Sequence, residues 1–176
     1  MTRPLRFAML LALAVAPLAA GAQDASVIPD DAPDWLAMED AVAAAGAEGK
    51  LLLVYGYAPW CGFCVRFDRE VFTDDAVQAY LAEHYAPVRL DVDSDAVVQF
   101  FDATVTEAEL GQVMAIRGTP TAVFVGPDGE LITKFPGYTD PETFELVLRY
   151  VREEAYETAT FEDFLAAHRA GGVAGQ

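Results

Sequence analysis

The sequence predicts an α/β protein in which a mixed central sheet is flanked by helices. Three observations carry this. The runs 51–57 and 87–92 are short, apolar and partly aromatic, as buried central strands are. Gly126-Pro127-Asp128-Gly129 sits between two further strand-like runs, 121–125 and 130–135, which is a strong hairpin signal. Helical patterns alternate with these runs, so parallel strands joined through helices and an antiparallel hairpin must share one sheet.

Each element has its own local signal. Asp34 can cap a helix over 35–48, and Gly49 can end it. Strand 51–57 follows and is broken by Pro59, after which a helix spans 62–70. Thr73 is placed to cap a helix over 74–84, with Val77, Tyr80 and Leu81 on one face. After strand 87–92, residues 93–105 are acidic and read as irregular, and Thr106 caps a helix reaching Ile116. Beyond the hairpin, Pro141 starts a long helix to Tyr156, and Thr160 caps a short one over 161–169.

The chain ends divide from this domain by composition. Arg3 and Arg6, the apolar run 7–18 and Ala20-Gly21-Ala22 have the layout of a cleavable secretory leader, so 1–22 reads as a signal peptide. Residues 23–33, rich in Ala, Asp and Pro, read as a flexible arm, 34–170 as the folded domain and 171–176 as a loose tail. The 176 residues carry 28 acids against 11 Lys and Arg, a net charge of −17, with Lys50 and Lys134 the two lysines. Such a surface repels phosphate backbones and speaks against nucleic-acid binding.

Cys61 and Cys64, in "YAPWCGFCVRF", are the two cysteines of the chain. Three readings of them stand: a staple, half a metal site, or a redox pair. As a staple the pair is poor, because closing four residues gives roughly 2 kcal/mol against about 3 for fifteen. As a metal half-site it lacks partners at ligand spacing, since His84 and His168 lie far along the chain. As a redox pair it has a suitable setting. Cys61 falls just before a helix, where the positive end favours a thiolate, and should be exposed; Cys64 lies one turn in and can reach it from a more buried place.

"WCGFC" after an apolar strand, "RGTPT" before a hairpin and a helix after "PGYTDP" together resemble the thioredoxin superfamily over residues 35–158. The resemblance implies the thioredoxin fold, with the helical segment "VTEAELGQVMAIRGTPT" as an insertion before a cis-proline loop. It implies Cys61 as nucleophile and Cys64 as resolving thiol. It also implies a substrate groove of Trp60, Gly62, Phe63, Thr119, Pro120 and Gly137, with the Thr119–Pro120 bond cis. More narrowly, "REVFTDDAVQAYLAEHYAPVRLDVD" and "FPGYTDPETFELVLRYV" are similar to exported thioredoxins of bacterial sulfur-oxidation (Sox) systems and to the C-terminal thioredoxin-like domain of the membrane thiol transporter DsbD.

From this resemblance the expected protein is a monomeric, periplasmic thiol–disulfide oxidoreductase with no cofactor or metal beyond its own redox disulfide. A membrane thiol transporter would supply electrons, and disulfide-containing periplasmic proteins would receive them in a sulfur-oxidation or cytochrome-maturation setting. Two features depart from the family pattern. Tyr55 stands where ordinary thioredoxins carry a buried aspartate, which leaves the proton acceptor for Cys64 unassigned. Gly62-Phe63 between the cysteines is closer to the dipeptides of periplasmic disulfide isomerases, so isomerase or oxidase activity is one alternative, and a non-catalytic binding module is another. Elsewhere Asp68, Glu70 and His84 read as solvated or helix-end residues, Tyr57 and Tyr138 as core or rim, and Phe100 and Phe101 as anchors for the acidic segment.

Overall fold

The computed structural model describes residues 28–29 and 32–173; the expected leader and residues 174–176 lie outside them. Six helices and six strands follow in the order α1 (Met38–Glu48), β1 (Leu51–Tyr57), α2 (Gly62–Glu70), α3 (Asp75–His84), β2 (Tyr85–Asp91), β3 (Val97–Phe100), β4 (Ala103–Thr106), α4 (Glu107–Val113), β5 (Thr121–Val125), β6 (Leu131–Pro136), α5 (Pro141–Arg152) and α6 (Phe161–Val173). Four strands form one mixed sheet in the order β2-β1-β5-β6. β1 runs parallel to β2 and antiparallel to β5, and β5 and β6 form the expected hairpin.

The period of two along β1 divides the core. Leu51, Leu53 and Tyr55 face α2, α3 and α5, where Phe67, Phe72, Phe144 and Leu148 are buried. Leu52 and Val54 face α1 and α4, against Ala41, Ala45, Leu110 and Met114. With both faces covered, β1 can be apolar throughout, and this is why its composition alone identified it.

Where expectation and structure differ, a tertiary contact has usually overruled a local signal. α1 starts at Met38 rather than Trp35, and Asp34 is not its cap. Leu36 is drawn instead into a bridge with Val88, its N–H donating to Pro87 O at 2.9 Å. Asp74, not Thr73, caps α3 by accepting from Ala76 N and Val77 N, while the Thr73 hydroxyl donates back to Arg69 O at the end of α2. β2 begins two residues early because Tyr85 and Ala86 pair with Leu51 and Leu52.

The segment 93–105, expected to be irregular, contains the antiparallel β3–β4 hairpin. Gln99 locks its turn: Gln99 Nε2 donates to Phe101 O, Thr104 Oγ1 donates to Gln99 Oε1, and Gln99 N donates to Glu39 of α1. Phe100 and Phe101 pack onto the α1/α4 side of the core, the anchoring role expected of them. Thr106 and Glu109 form a reciprocal capping box at α4, which ends at Val113 rather than Ile116. α5 stops at Arg152, and a 3₁₀ turn at Ala155–Glu157 follows, its entry Glu154 at a left-handed φ of 55°. α6 continues to Val173, beyond the expected Arg169.

Candidate active site

The β1–α2 connection places the two cysteines. β1 ends at Tyr57, Pro59 and Trp60 form the turn, and Cys61 is the N-cap of α2. The Cys61 sulfur accepts the backbone N–H of Cys64 at 3.1 Å, as the oxygen of a capping side chain would. A sulfur in this position meets unpaired helix N–H groups and the positive end of the helix dipole, which favour negative charge. Cys64 lies one turn in, its Cα 5.2 Å from that of Cys61, and the two sulfurs are bonded.

One expectation is corrected here. Cys61 is not exposed: it is 4% accessible, against 1% for Cys64. With the disulfide closed, its sulfur turns inward onto Cys64, and both pack with Ala58, Tyr57 and Val92. The residues that face solvent are their neighbours, Trp60 at 74% and Phe63 at 62%. The Trp60 indole N–H donates to Asp93 Oδ2 at 2.7 Å, so this exposed ring is held in place.

The cis Thr119–Pro120 bond is present as the sequence predicted. Thr119 lines a groove of about 260 Å³ together with Trp60, Asp93 and Arg117. On its other side Thr119, with Pro120 and Gly137, lines a second cavity of about 480 Å³. Arg117, Gly118 and Thr119 border both, so the loop before the proline separates one cavity on the Trp60 side from another on the Gly137 side. Gly137 sits at φ 89°, a conformation costly for other residues, and its N–H donates to Pro120 O at 2.8 Å. Neither the N–H nor the C=O of Thr119 has a hydrogen-bond partner among the described residues. Gly62 opens α2 beside Phe63 and lines neither cavity.

Gly56 was not singled out by sequence, yet it places this loop. A Cβ there would stand 2.8 Å from Ile116 Cδ1 and 3.4 Å from Thr121 O. The bare backbone of β1 there gives room to the Ile116 side chain, which a larger residue would have to displace.

The largest correction concerns Asp68, expected to be solvated. It is buried one turn beyond Cys64, on the same face of α2, and its carboxylate takes both guanidinium NH groups of Arg89 at 2.7 and 3.2 Å. The Arg89 guanidinium lies 4.1 Å from the centre of the Tyr57 ring and about 5.5 Å from those of Tyr55 and Trp35. Tyr55 donates to Cys64 O at 3.4 Å. Burial, with Asp68 adding to it, pushes the Tyr55 phenol far above its ordinary range, so it stays protonated. Burial also pushes the Asp68 carboxyl up, against the pull of Arg89. A buried acid is therefore present one helical turn from Cys64, on α2 rather than at position 55 of β1. The missed signal was the i, i+4 spacing from Cys64 to Asp68; the partner that buries it, Arg89, is 21 residues away on β2.

Glu70, by contrast, is exposed, as expected. It accepts from Arg66 and from the Tyr138 hydroxyl, while Arg66 stacks 4.3 Å over the Tyr138 ring, tying the loop after β6 to α2. His84 ends α3 with its ring against Tyr80. Among the described residues no group of three His, Cys, Asp or Glu is arranged to hold a metal ion.

Two bonded sulfurs at the first turn of a helix, close to an open groove, are the arrangement that thiol–disulfide exchange uses. A family model described as a thioredoxin-like domain matches residues 38–152, and the chain belongs to that family. It is 36% identical over 97 residues to the thiol:disulfide interchange protein DsbD of Colwellia psychrerythraea, a stretch that is 55% of this chain and 15% of that protein. Among solved structures it is similar to a thioredoxin-fold protein from Helicobacter pylori, with a TM-score of 0.61 and 22% identity over 86% of this chain and 91% of the other. The C-terminal domain of DsbD from Neisseria meningitidis shares the fold at a TM-score of 0.51 and 15% identity, over 67% of this chain and 99% of that domain.

Proposed function

We propose that the protein is exported to the periplasm and reduces disulfides of partner proteins there, drawing its electrons from a membrane thiol transporter. The observation that carries this reading is the Cys61–Cys64 bond at the N-cap of α2, next to a groove in which Thr119 has backbone groups free to pair with a bound chain. The leader-like residues 1–22 and the likeness to DsbD support the location and the electron source.

In the dithiol form, the Cys61 thiolate attacks one sulfur of a partner disulfide. A Cys61–partner bond forms, the partner's S–S bond breaks, and the departing partner sulfur takes a proton. Cys64 then loses its proton and attacks Cys61 Sγ. That closes the Cys61–Cys64 disulfide and releases the second partner sulfur as a thiol, two electrons having passed to the partner. We assign the Cys64 proton to Asp68, the buried acid one turn along α2, since Tyr55 is itself held protonated by burial. A dithiol on the electron donor resets the pair by the same two exchanges in reverse. Sulfur-oxidation proteins and apocytochromes are candidate acceptors.

The test is a trapping experiment on the full chain. The Cys64→Ser variant keeps a nucleophile without a resolver and should accumulate mixed disulfides in the periplasmic fraction, visible on non-reducing gels, on chains whose N-terminus has been cut near Gln23. The Cys61→Ser variant should trap little, and the wild type should reduce insulin. Equal trapping by both variants would overturn the assignment of roles. A wild type that oxidises dithiols but reduces no disulfide would support the oxidase alternative that Gly62-Phe63 raises.

A further inference from the structure

The two cavities that flank the loop before Pro120 are unlike in charge. On the Trp60 side the charges are Arg117 and one acid, Asp93, which the indole already engages. On the Gly137 side, the residues lining the 480 Å³ cavity include two cations, Arg117 and Lys134, and no acid. In a chain with 28 acids and 11 Lys and Arg, such a lining is out of keeping with the rest of the surface. Arg117 is exposed and makes no ion pair or hydrogen bond among the described residues. Lys134 Nζ donates to Met114 O at 3.0 Å and Ala115 O at 3.2 Å, which leaves one of its three N–H groups unused.

We infer that this wall selects for a carboxylate: the preferred partner is a disulfide-bearing polypeptide segment with a Glu or Asp about two residues from the attacked cysteine. The inference rests on the oxidoreductase reading and names its substrate class. A segment whose backbone pairs with Thr119 lies extended across the groove. Arg117 is two residues from Thr119, at most about 7 Å of chain, and lines the same cavity, so side chains one or two places along a segment paired with Thr119 come within reach of its guanidinium. The net charge of −17 does not cancel this. Charges more than about 8 Å apart are largely screened at physiological salt, whereas a carboxylate in the cavity touches the guanidinium directly. The overall acidity governs encounter, and Arg117 governs which segment stays.

The test separates these two fields by using positional isomers. Synthetic disulfide peptides of one composition carry Glu two residues before or after the reactive cysteine and Lys at the far end, or the reverse. Their net charges are identical, so only local placement differs. For reduced wild type, KM should be about fivefold lower for the isomer with Glu near the cysteine, with kcat little changed, and the preference should fade in 1 M salt. Arg117→Gln should abolish the preference and Arg117→Glu should invert it. Equal KM values for wild type, or a preference that survives Arg117→Glu, would overturn the inference. The same isomers with serine in place of cysteine, titrated by fluorescence anisotropy, read the preference without any redox step. A charge preference in binding with no turnover would therefore uphold the inference while removing the oxidoreductase reading. Turnover of both isomers with equal binding would do the opposite.

Discussion

Removing the Asp68 carboxylate leaves the Arg89 guanidinium buried without its counter-charge, and the structure sets the scale of the effect. Both side chains are only 9% accessible, and two hydrogen bonds join them. Breaking a pair of this kind from one side costs about 3–5 kcal/mol, because the remaining charge stays desolvated. The Tyr57 ring face, 4.1 Å from the guanidinium, survives the change and can return up to about 2 kcal/mol. Asp68→Ala should therefore lose about 2–4 kcal/mol in urea unfolding of the oxidised protein at pH 7. Replacing both partners, as Asp68→Leu with Arg89→Met, should recover most of that loss, because an apolar pair carries no desolvation penalty. The pH dependence has a definite sign. Burial raises the Asp68 carboxyl above 3.8, so the folded state holds its proton more tightly than the unfolded chain does. Its contribution is fullest below the ordinary value and is given up as pH climbs through the raised one; Asp68→Asn should lack this change. A loss below about 1 kcal/mol for Asp68→Ala, or a double variant no more stable than the single, would refute this account of the pair.

Two further outcomes follow from groups at the edge of the site. Asp140 caps α5, accepting from Thr143 N at 2.9 Å and Thr143 Oγ1 at 2.8 Å. Asp140→Ala should cost about 1 kcal/mol at neutral pH in the same unfolding assay. Although partial burial opposes it, hydrogen bonding from Thr143 holds the Asp140 carboxyl below 3.8. The cap therefore contributes fully above the ordinary value, and the difference between variant and wild type should vanish as pH falls through the lowered one. Asp93→Ala removes the acceptor that fixes the Trp60 indole. Stability should stay within about 0.5 kcal/mol, while acrylamide quenching of Trp60 and KM for a protein disulfide both rise.

The sequence revealed the fold wherever the cause of an element is local. β1 is apolar on both faces, the β5–β6 turn needs Gly and Asp, and Thr106 stands directly before α4 as its cap. The cysteine pair was legible for the same reason, since strand, turn and helix N-cap are contiguous. What escaped depends on contacts distant in sequence. Leu36 leaves the helix to pair with Val88, and Asp68 is buried because of Arg89. The β3–β4 hairpin was hidden by its acidic flank, although Val97, Val98, Thr104, Val105 and Thr106 are the β-branched residues that strands favour. The burial of Cys61 belongs to the closed disulfide, which the order of residues does not convey.

The order β2-β1-β5-β6 leaves two strands on the margins of the sheet, and each carries residues that discourage a stranger from joining it. On β2, Pro87 has no N–H to donate and Leu36 already occupies part of the outer side. On β6, Lys134 and Pro136 serve the same end, a charge and a missing donor within six residues. A crowded compartment tests such margins constantly, since exposed strand edges are where aggregates begin. Under the function proposed above, the protein must nevertheless present free main chain to its partner chains. Thr119, whose backbone groups are unpaired among the described residues, offers that pairing in the groove near Trp60 and away from the rim of the sheet.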